Sequence, residues 1–167
     1  MQRLNLGGGI RASGEINIAP PGNPEESRWH ELPSAVAFAD AVFGAIEESF
    51  EGDVNPLVQF ESGGHMVWDA VVLLAEVSEV KKTRRRGGDP LRYVYIDASA
   101  MQFVIRSMLN MAHPVFVVNR PQAAGVLPLA DLVGQTCLTD TVAEKLPLPD
   151  VAIGDILCLL HQGAYCD

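Results

Sequence analysis

Two glycine clusters and one acid are the residues in this chain best placed by type and spacing to do chemistry. Arg3-Leu4-Asn5-Leu6 reads as the end of a short strand that runs directly into Gly7-Gly8-Gly9. Without Cβ atoms, such a loop lets several backbone N–H groups approach an anion, although a glycine triplet also serves as a plain tight turn. A second cluster, Glu61-Ser62-Gly63-Gly64-His65, follows the short apolar run Leu57-Val58-Gln59-Phe60 about one β/α unit later. In a β/α barrel, neighbouring loops at the C-terminal face converge, commonly on a phosphate. Glu61 would then face the same mouth, where a carboxylate can pair with a pyridinium nitrogen. The plainer alternative for Glu61 is a partly exposed acid at a strand end.

The elements that must position these residues can be read from periodicity. Between Pro33 and Phe50, apolar residues recur at three- and four-residue spacing through Ala35, Val36, Ala39, Val42, Phe43, Ile46 and Phe50, which predicts a helix. Ser34 is its candidate N-cap and Gly52 lies just past its end. Leu57–Phe60 is expected to be a buried strand, so residues 1–65 alternate strand, helix, strand. Ala19-Pro20-Pro21-Gly22-Asn23-Pro24 is a loop by composition. From Met66 to Val80 the chain is apolar and β-branched and leans to strand, though helix remains open. The run Lys81-Lys82-Thr83-Arg84-Arg85-Arg86 with Gly87-Gly88-Asp89-Pro90 is expected to be an exposed, hairpin-like loop. Further strands are expected at Tyr93–Ile96, Pro114–Val118, Ala130–Val133 and Ile156–Leu159, with a short helix within Ser99–Met111. The fold class is therefore α/β plus β. An α/β part covers 1–65 and a β-barrel or sandwich part covers 66–167.

Composition narrows the function classes. The 167 residues carry 12 basic and 21 acidic side chains, a net charge of −9, and five of the basic ones sit together in Lys81–Arg86. That balance argues against a nucleic-acid protein, which needs a broad basic surface. The longest apolar run, about Ala70–Ala75, falls far short of the roughly 20 residues of a membrane helix. The N-terminal MQRLNLGGGI has no signal-peptide core. Three cysteines, Cys137, Cys158 and Cys166, make a poor disulfide framework, and no ligand spacing points to zinc. A cytoplasmic setting is expected. Cys158 reads as core, His30 as loop surface and His113-Pro114 as a turn.

Five motifs in order carry a resemblance. Leu-Asn-Leu-Gly-Gly-Gly, Glu-Ser-Gly-Gly, Ile-Asp-Ala-Ser, Val-Gly-Gln-Thr-Cys-Leu-Thr-Asp and Gly-Asp-Ile-Leu…Gly-Ala-Tyr resemble the fold-type III pyridoxal-phosphate decarboxylases, which act on diaminopimelate, ornithine or arginine. The C-terminal motifs lean towards the diaminopimelate enzymes of lysine biosynthesis. The resemblance implies the last strands of a cofactor-binding, TIM-like β/α barrel followed by a β-domain, working as a homodimer on a small amino acid. It implies phosphate contacts from Gly7, Gly8, Gly9 and Gly63, and pairing of Glu61 with the pyridine nitrogen of pyridoxal 5'-phosphate. It further implies that Cys137 reaches a partner's site and handles the proton after carbon dioxide leaves. Tyr165 would lie near phosphate and substrate, and Asp97 near the substrate's distal amine.

Three departures accompany these matches. Gly64 stands where the family has an arginine, and Leu138 stands where the diaminopimelate pattern has glutamate. The Schiff-base lysine of the family falls upstream of Met1, so an internal piece of a longer chain is expected, inactive alone. A degenerate, non-catalytic homologue that binds a partner is the competing expectation.

Overall fold

The computed structural model describes residues 3–9, 14–18, 28–50, 56–84, 90–103, 111–112, 114–120, 127–137, 140–164 and 166. Tyr165, Leu138, Gly52, the Ala19–Pro24 loop and the 85–89 tip of the basic segment lie outside them.

Two short strands open the fold. β1 (Arg3–Asn5) pairs in parallel with β4 (Leu57–Gln59), with Asn5 opposite Gln59. Leu57 is substantially exposed, so β4 is not the buried strand its apolar letters predict. Between these strands lie β2 (Gly14–Ile18) and β3 (Arg28–Leu32), an antiparallel pair that the sequence did not signal. His30 thus belongs to a strand and not to a loop. β7 (Met111–Ala112) joins β2 on its other side.

The predicted helix forms as α1 (Ala35–Ser49), and Ser34 caps it by accepting the Ala37 N–H at 3.1 Å. None of its residues is buried, and Phe38 meets Phe60 edge-on with ring centroids 6.2 Å apart. The apolar stretch from Met66 divides. A one-turn helix, α2 (Gly64–Val67), ends near Trp68, and β5 (Leu73–Arg84) then runs for 12 residues. Lys81–Arg84 therefore belong to a strand and not to a loop, and Lys81 Nζ sits 5.0 Å from the Tyr95 ring centre.

The later half is sheet-rich. β6 (Pro90–Ile96), β8 (Val115–Val117), β9 (Leu129–Val133), β10 (Thr141–Pro147) and β11 (Ile156–Leu159) join β5 in one sheet of order β10-β9-β6-β5-β11-β8. Only the β6–β9 contact in this sheet is parallel. The described part of the helix expected within Ser99–Met111 is a 3-10 turn over Ala100–Phe103, and 104–110 lie outside the described residues.

Alternation builds the core on one face. Leu157 lies opposite both Ala75 and Val117, and Val94 lies opposite Leu132; all five are essentially buried. Phe103, Ile96, Leu146, Leu148 and Leu159 belong to the same cluster. Each fully buried Leu, Ile or Phe contributes about 1.5–3 kcal/mol. On the opposite face Leu74 and Phe116 remain exposed beside Cys158. Cys158 itself is buried, as its apolar strand predicts, and burial pushes its thiol pKa up.

One cation is threaded into this core. Arg92 is 6% exposed. Its Nη1 donates to Pro149 O and Asp150 Oδ1, both at 2.9 Å, and its Nη2 donates to Pro128 O at 3.1 Å and to Leu148 O. Burial lowers the guanidinium pKa, while Asp150 opposes that shift by charge and hydrogen bond. Arg92 thereby ties β6 to the segments before β9 and after β10.

Candidate functional site

Parallel pairing of β1 and β4 sends both chains out on the same side, so their following loops must meet. Leu6 N–H donates to Gln59 O at 3.0 Å, and Glu61 N–H donates to Gly7 O at 2.8 Å. Gly7 and Gly9 have φ of +69° and +80°, where an L side chain is strained, and the space at both is open. Gly8 is different. A Cβ there would lie 2.7 Å from Glu61 O, so only glycine permits this approach of loop to turn. The Gly7–Gly9 loop is therefore a cradle seated directly against Glu61.

Asn5 completes this arrangement, and motif reading assigned it no role. Its Nδ2 donates to Glu61 Oε1 at 2.8 Å while its Oδ1 accepts the Gly7 N–H at 2.8 Å. A single amide thus fixes both the acid and the start of the glycine loop. The only sequence signal was its place at the strand end before the triplet, a common turn position for asparagine. Glu61 is an exposed residue.

Gly63 caps α2, and Met66 N–H bonds back to its carbonyl at 3.0 Å. The last described segment packs on the end of this turn. Gln162 N–H donates to Val71 O at 2.9 Å and Gly163 N–H to Trp68 O at 3.2 Å. His161 stacks on Trp68 with ring centroids 5.7 Å apart, and its Nδ1 contacts Asp69 Oδ1. A Cβ on Gly163 would fall 1.5 Å from Val67 O, so the Gly-Ala-Tyr motif needs its glycine for this seat. The motif containing Tyr165, itself outside the described residues, is thus anchored to the turn that follows Glu61 and Gly63.

Asp97 and Cys137 lie in a second group, held by a separate hydrogen-bond system. Asp97 is exposed; its Oδ1 accepts the Glu76 N–H at 2.7 Å, and its own N–H donates to Glu76 O at 3.1 Å. Cys137 is exposed on the Gln135–Cys137 bend after β9. Asp140, 4% exposed, joins the two loops by accepting Ser99 Oγ–H at 3.1 Å and Thr136 N–H at 2.9 Å. Burial raises its pKa, but the amides of Thr136 and Ala100 and the hydroxyls of Thr136 and Ser99 outweigh that and hold it below the ordinary carboxylate value. Among the described residues no group of His, Cys, Asp and Glu is placed to hold a metal ion, and no helix is long and apolar enough to cross a membrane.

The first group suits a pyridine phosphate: a loop with no Cβ atoms to obstruct a phosphate, and beside it a carboxylate fixed by Asn5 for a ring nitrogen. Comparison with known proteins identifies the family. Residues 25–163 match the family described as "Pyridoxal-dependent decarboxylase, C-terminal sheet domain". The diaminopimelate decarboxylase of Methanothermobacter thermautotrophicus is 27% identical over 131 residues, covering 77% of this chain and 29% of that protein. That of Archaeoglobus fulgidus is 29% identical over 127 residues, covering 72% and 29%. The crystal structure of diaminopimelate decarboxylase from M. jannaschii in complex with L-lysine superposes with a TM-score of 0.67 at 24% identity, covering 99% of this chain and 34% of that one. The chain spans about three-tenths of the length of the curated relatives it matches. With the family match covering most of its residues, this chain belongs to the pyridoxal-dependent decarboxylases, in the region of their C-terminal sheet domain.

Proposed function

We propose that this chain is the C-terminal portion of a pyridoxal-phosphate-dependent amino-acid decarboxylase of the diaminopimelate type. Residues 1–65 would close the cofactor-binding β/α barrel and 66–167 would form the β-domain. The observation that carries the reading is the Gly8 approach. The position tolerates no Cβ against Glu61 O, while Asn5 fixes the acid and the loop together. Both curated relatives above are diaminopimelate decarboxylases, which favours that substrate over ornithine or arginine.

When bound, pyridoxal 5'-phosphate supplies an electron sink for the pair released as the substrate's carboxylate departs. The amides of Gly8 and Gly9, with Gly63, would hold its phosphate, and Gly7, whose N–H is taken by Asn5 Oδ1, would shape the loop that presents them. Ionised Glu61 would keep the ring nitrogen protonated, and its Asn5 hydrogen bond orients the oxygen that does so. Cys137 would donate the proton to the carbon left by carbon dioxide, acting in a partner's site within a homodimer. Asp97 would attract the substrate's distal amine, and Tyr165 would line the phosphate side. Three free thiols suit a cytoplasmic setting.

A titration of the 15N-labelled chain with pyridoxal 5'-phosphate tests the site. The amides of Gly7–Gly9 and Glu61 should shift first and saturate together; shifts scattered elsewhere would overturn the assignment. Carbon dioxide release by the complete gene product, assayed on diaminopimelate, ornithine, arginine and lysine, tests the activity. Gly64 and Leu138 stand where the resemblance expects arginine and glutamate, which favours a second reading as a non-catalytic homologue. Cofactor binding with no release from any of the four substrates would establish that reading instead.

A further inference from the structure

Asp140 is a buried carboxylate whose donors all come from two loops far apart in sequence. Ser99 Oγ and Ala100 N bond Oδ1, and Thr136 N bonds Oδ2. Its backbone carbonyl accepts the Gly134 N–H at 2.7 Å, a collar that holds Asp140 against the end of β9. There is no slack in that collar. A Cβ on Gly134 would lie 2.3 Å from Asp140 Oδ2 and 2.6 Å from Ala98 O. The loop 97–100 and the bend 135–137 thus share one anchor, with exposed Asp97 at one end and exposed Cys137 at the other. A carboxylate this buried would be costly without its donors, and the two amides among them fix the backbone of one loop relative to the other.

We propose that Asp140 is a positioning residue that sets where the Cys137 thiol stands relative to the Asp97 loop. The inference rests on the proposed function only in treating Cys137 as a reacting group; the positional claim concerns atoms of this chain alone. Asn at 140 has a similar shape but presents an NH2 group to one set of donors. One loop is then released while the other is kept. Glutamate is no rescue, because Gly134 leaves no room for a longer side chain.

The test is nitroxide mobility at Cys137 in the full 167-residue chain carrying Cys166→Ser, since buried Cys158 resists labelling. Asp140→Asn is expected to make the label roughly threefold more mobile on the nanosecond scale. A label at Ser78→Cys, exposed on β5, in a chain that also carries Cys137→Ser, is expected to be unchanged by Asp140→Asn. If Asp140→Asn does not fold, Ser99→Ala, which removes one donor and leaves both amide bonds, replaces it. Its expected change has the same direction and smaller size. An unchanged Cys137 label in whichever variant folds overturns the proposal. So does equal loosening at Ser78→Cys, which would make Asp140 a general support of the fold. No cofactor or substrate enters this measurement, so its failure would leave the decarboxylase reading standing, and loss of that reading would leave this result intact.

Discussion

One methyl group at position 8 tests whether the glycine loop and the Glu61 turn form a single unit. In Gly8→Ala the new Cβ starts 2.7 Å from Glu61 O, whereas ordinary contact begins at 3.4 Å, so loop and turn must part by about 0.7 Å. The obstructing atom is backbone and cannot swing aside as a side chain would. Parting by that distance stretches the 2.8 Å Glu61 N–H···O Gly7 bond to the edge of hydrogen bonding. Overpacking of this kind costs about 1–3 kcal/mol, which corresponds to roughly 5–150-fold in a local opening equilibrium. Amide hydrogen exchange followed by NMR reads that factor directly. Glu61 and Leu6 are expected to exchange faster by that amount, with the amides of β6 unchanged. Gly7→Ala is the control. Its space is open, so the expected penalty is only the left-handed strain of about 1–2 kcal/mol. Pyridoxal 5'-phosphate should lose affinity in Gly8→Ala along with the exchange protection. Parental exchange at Glu61, or equal acceleration across β6, would refute the reasoning.

Three further outcomes follow from the same geometry. Arg92→Ala should cost about 1–3 kcal/mol in urea unfolding because it leaves the buried Leu148 carbonyl unpaired, while Asp150→Ala should cost only about 0–1 kcal/mol because that carboxylate is exposed. Equal losses would show that the ion pair, and not the carbonyl cage, is what matters. Gly163→Ala should unseat the 161–164 segment, exposing Trp68 and shifting its emission to the red in a Trp29→Phe background; unchanged emission would contradict the 1.5 Å clash with Val67 O. Asp140 has a depressed pKa when folded, so its stabilisation is full above the unfolded value of about 3.9 and is lost as pH falls through the lower folded value. The stability difference between the chain and Asp140→Asn should therefore be constant near neutrality and shrink below about pH 4. A difference that stays flat through the acid range would remove the charge from the account.

Features that depend on neighbours in sequence were legible in the letters. Helical spacing with a Ser34 cap marked α1, and apolar runs between Pro and Gly signals marked β6, β8, β9 and β11. The order of short motifs pointed to the decarboxylase family without any coordinates, and the family match agrees. β10 escaped because its pairing with β9 slips between Thr141 and Ala143 and again before Leu146, which destroys the period-2 pattern. The basic run looked like a loop because its charges are solvated, yet its backbone bonds extend the β5–β6 ladder to Arg84 opposite Pro90. His30 was misplaced because β2 and β3 find their partners in each other and in β7, not in a local pattern.

The same division separates the chemistry. Residue types at strand ends were enough to single out Gly7–Gly9 and Glu61, because glycine and acid each advertise what they can do, whereas Cys137 was singled out only by the family resemblance. Only the tertiary structure decided what holds them. Asn5 reaches Glu61 across 56 residues, Asp140 reaches Ser99 across 41, and Gly163 meets Val67 at the far end of the described chain. Such contacts have no spacing rule in the sequence. They exist because the β1–β4 pairing and the six-stranded sheet bring the loops within reach, and because a buried polar group must find its partner wherever the fold places one.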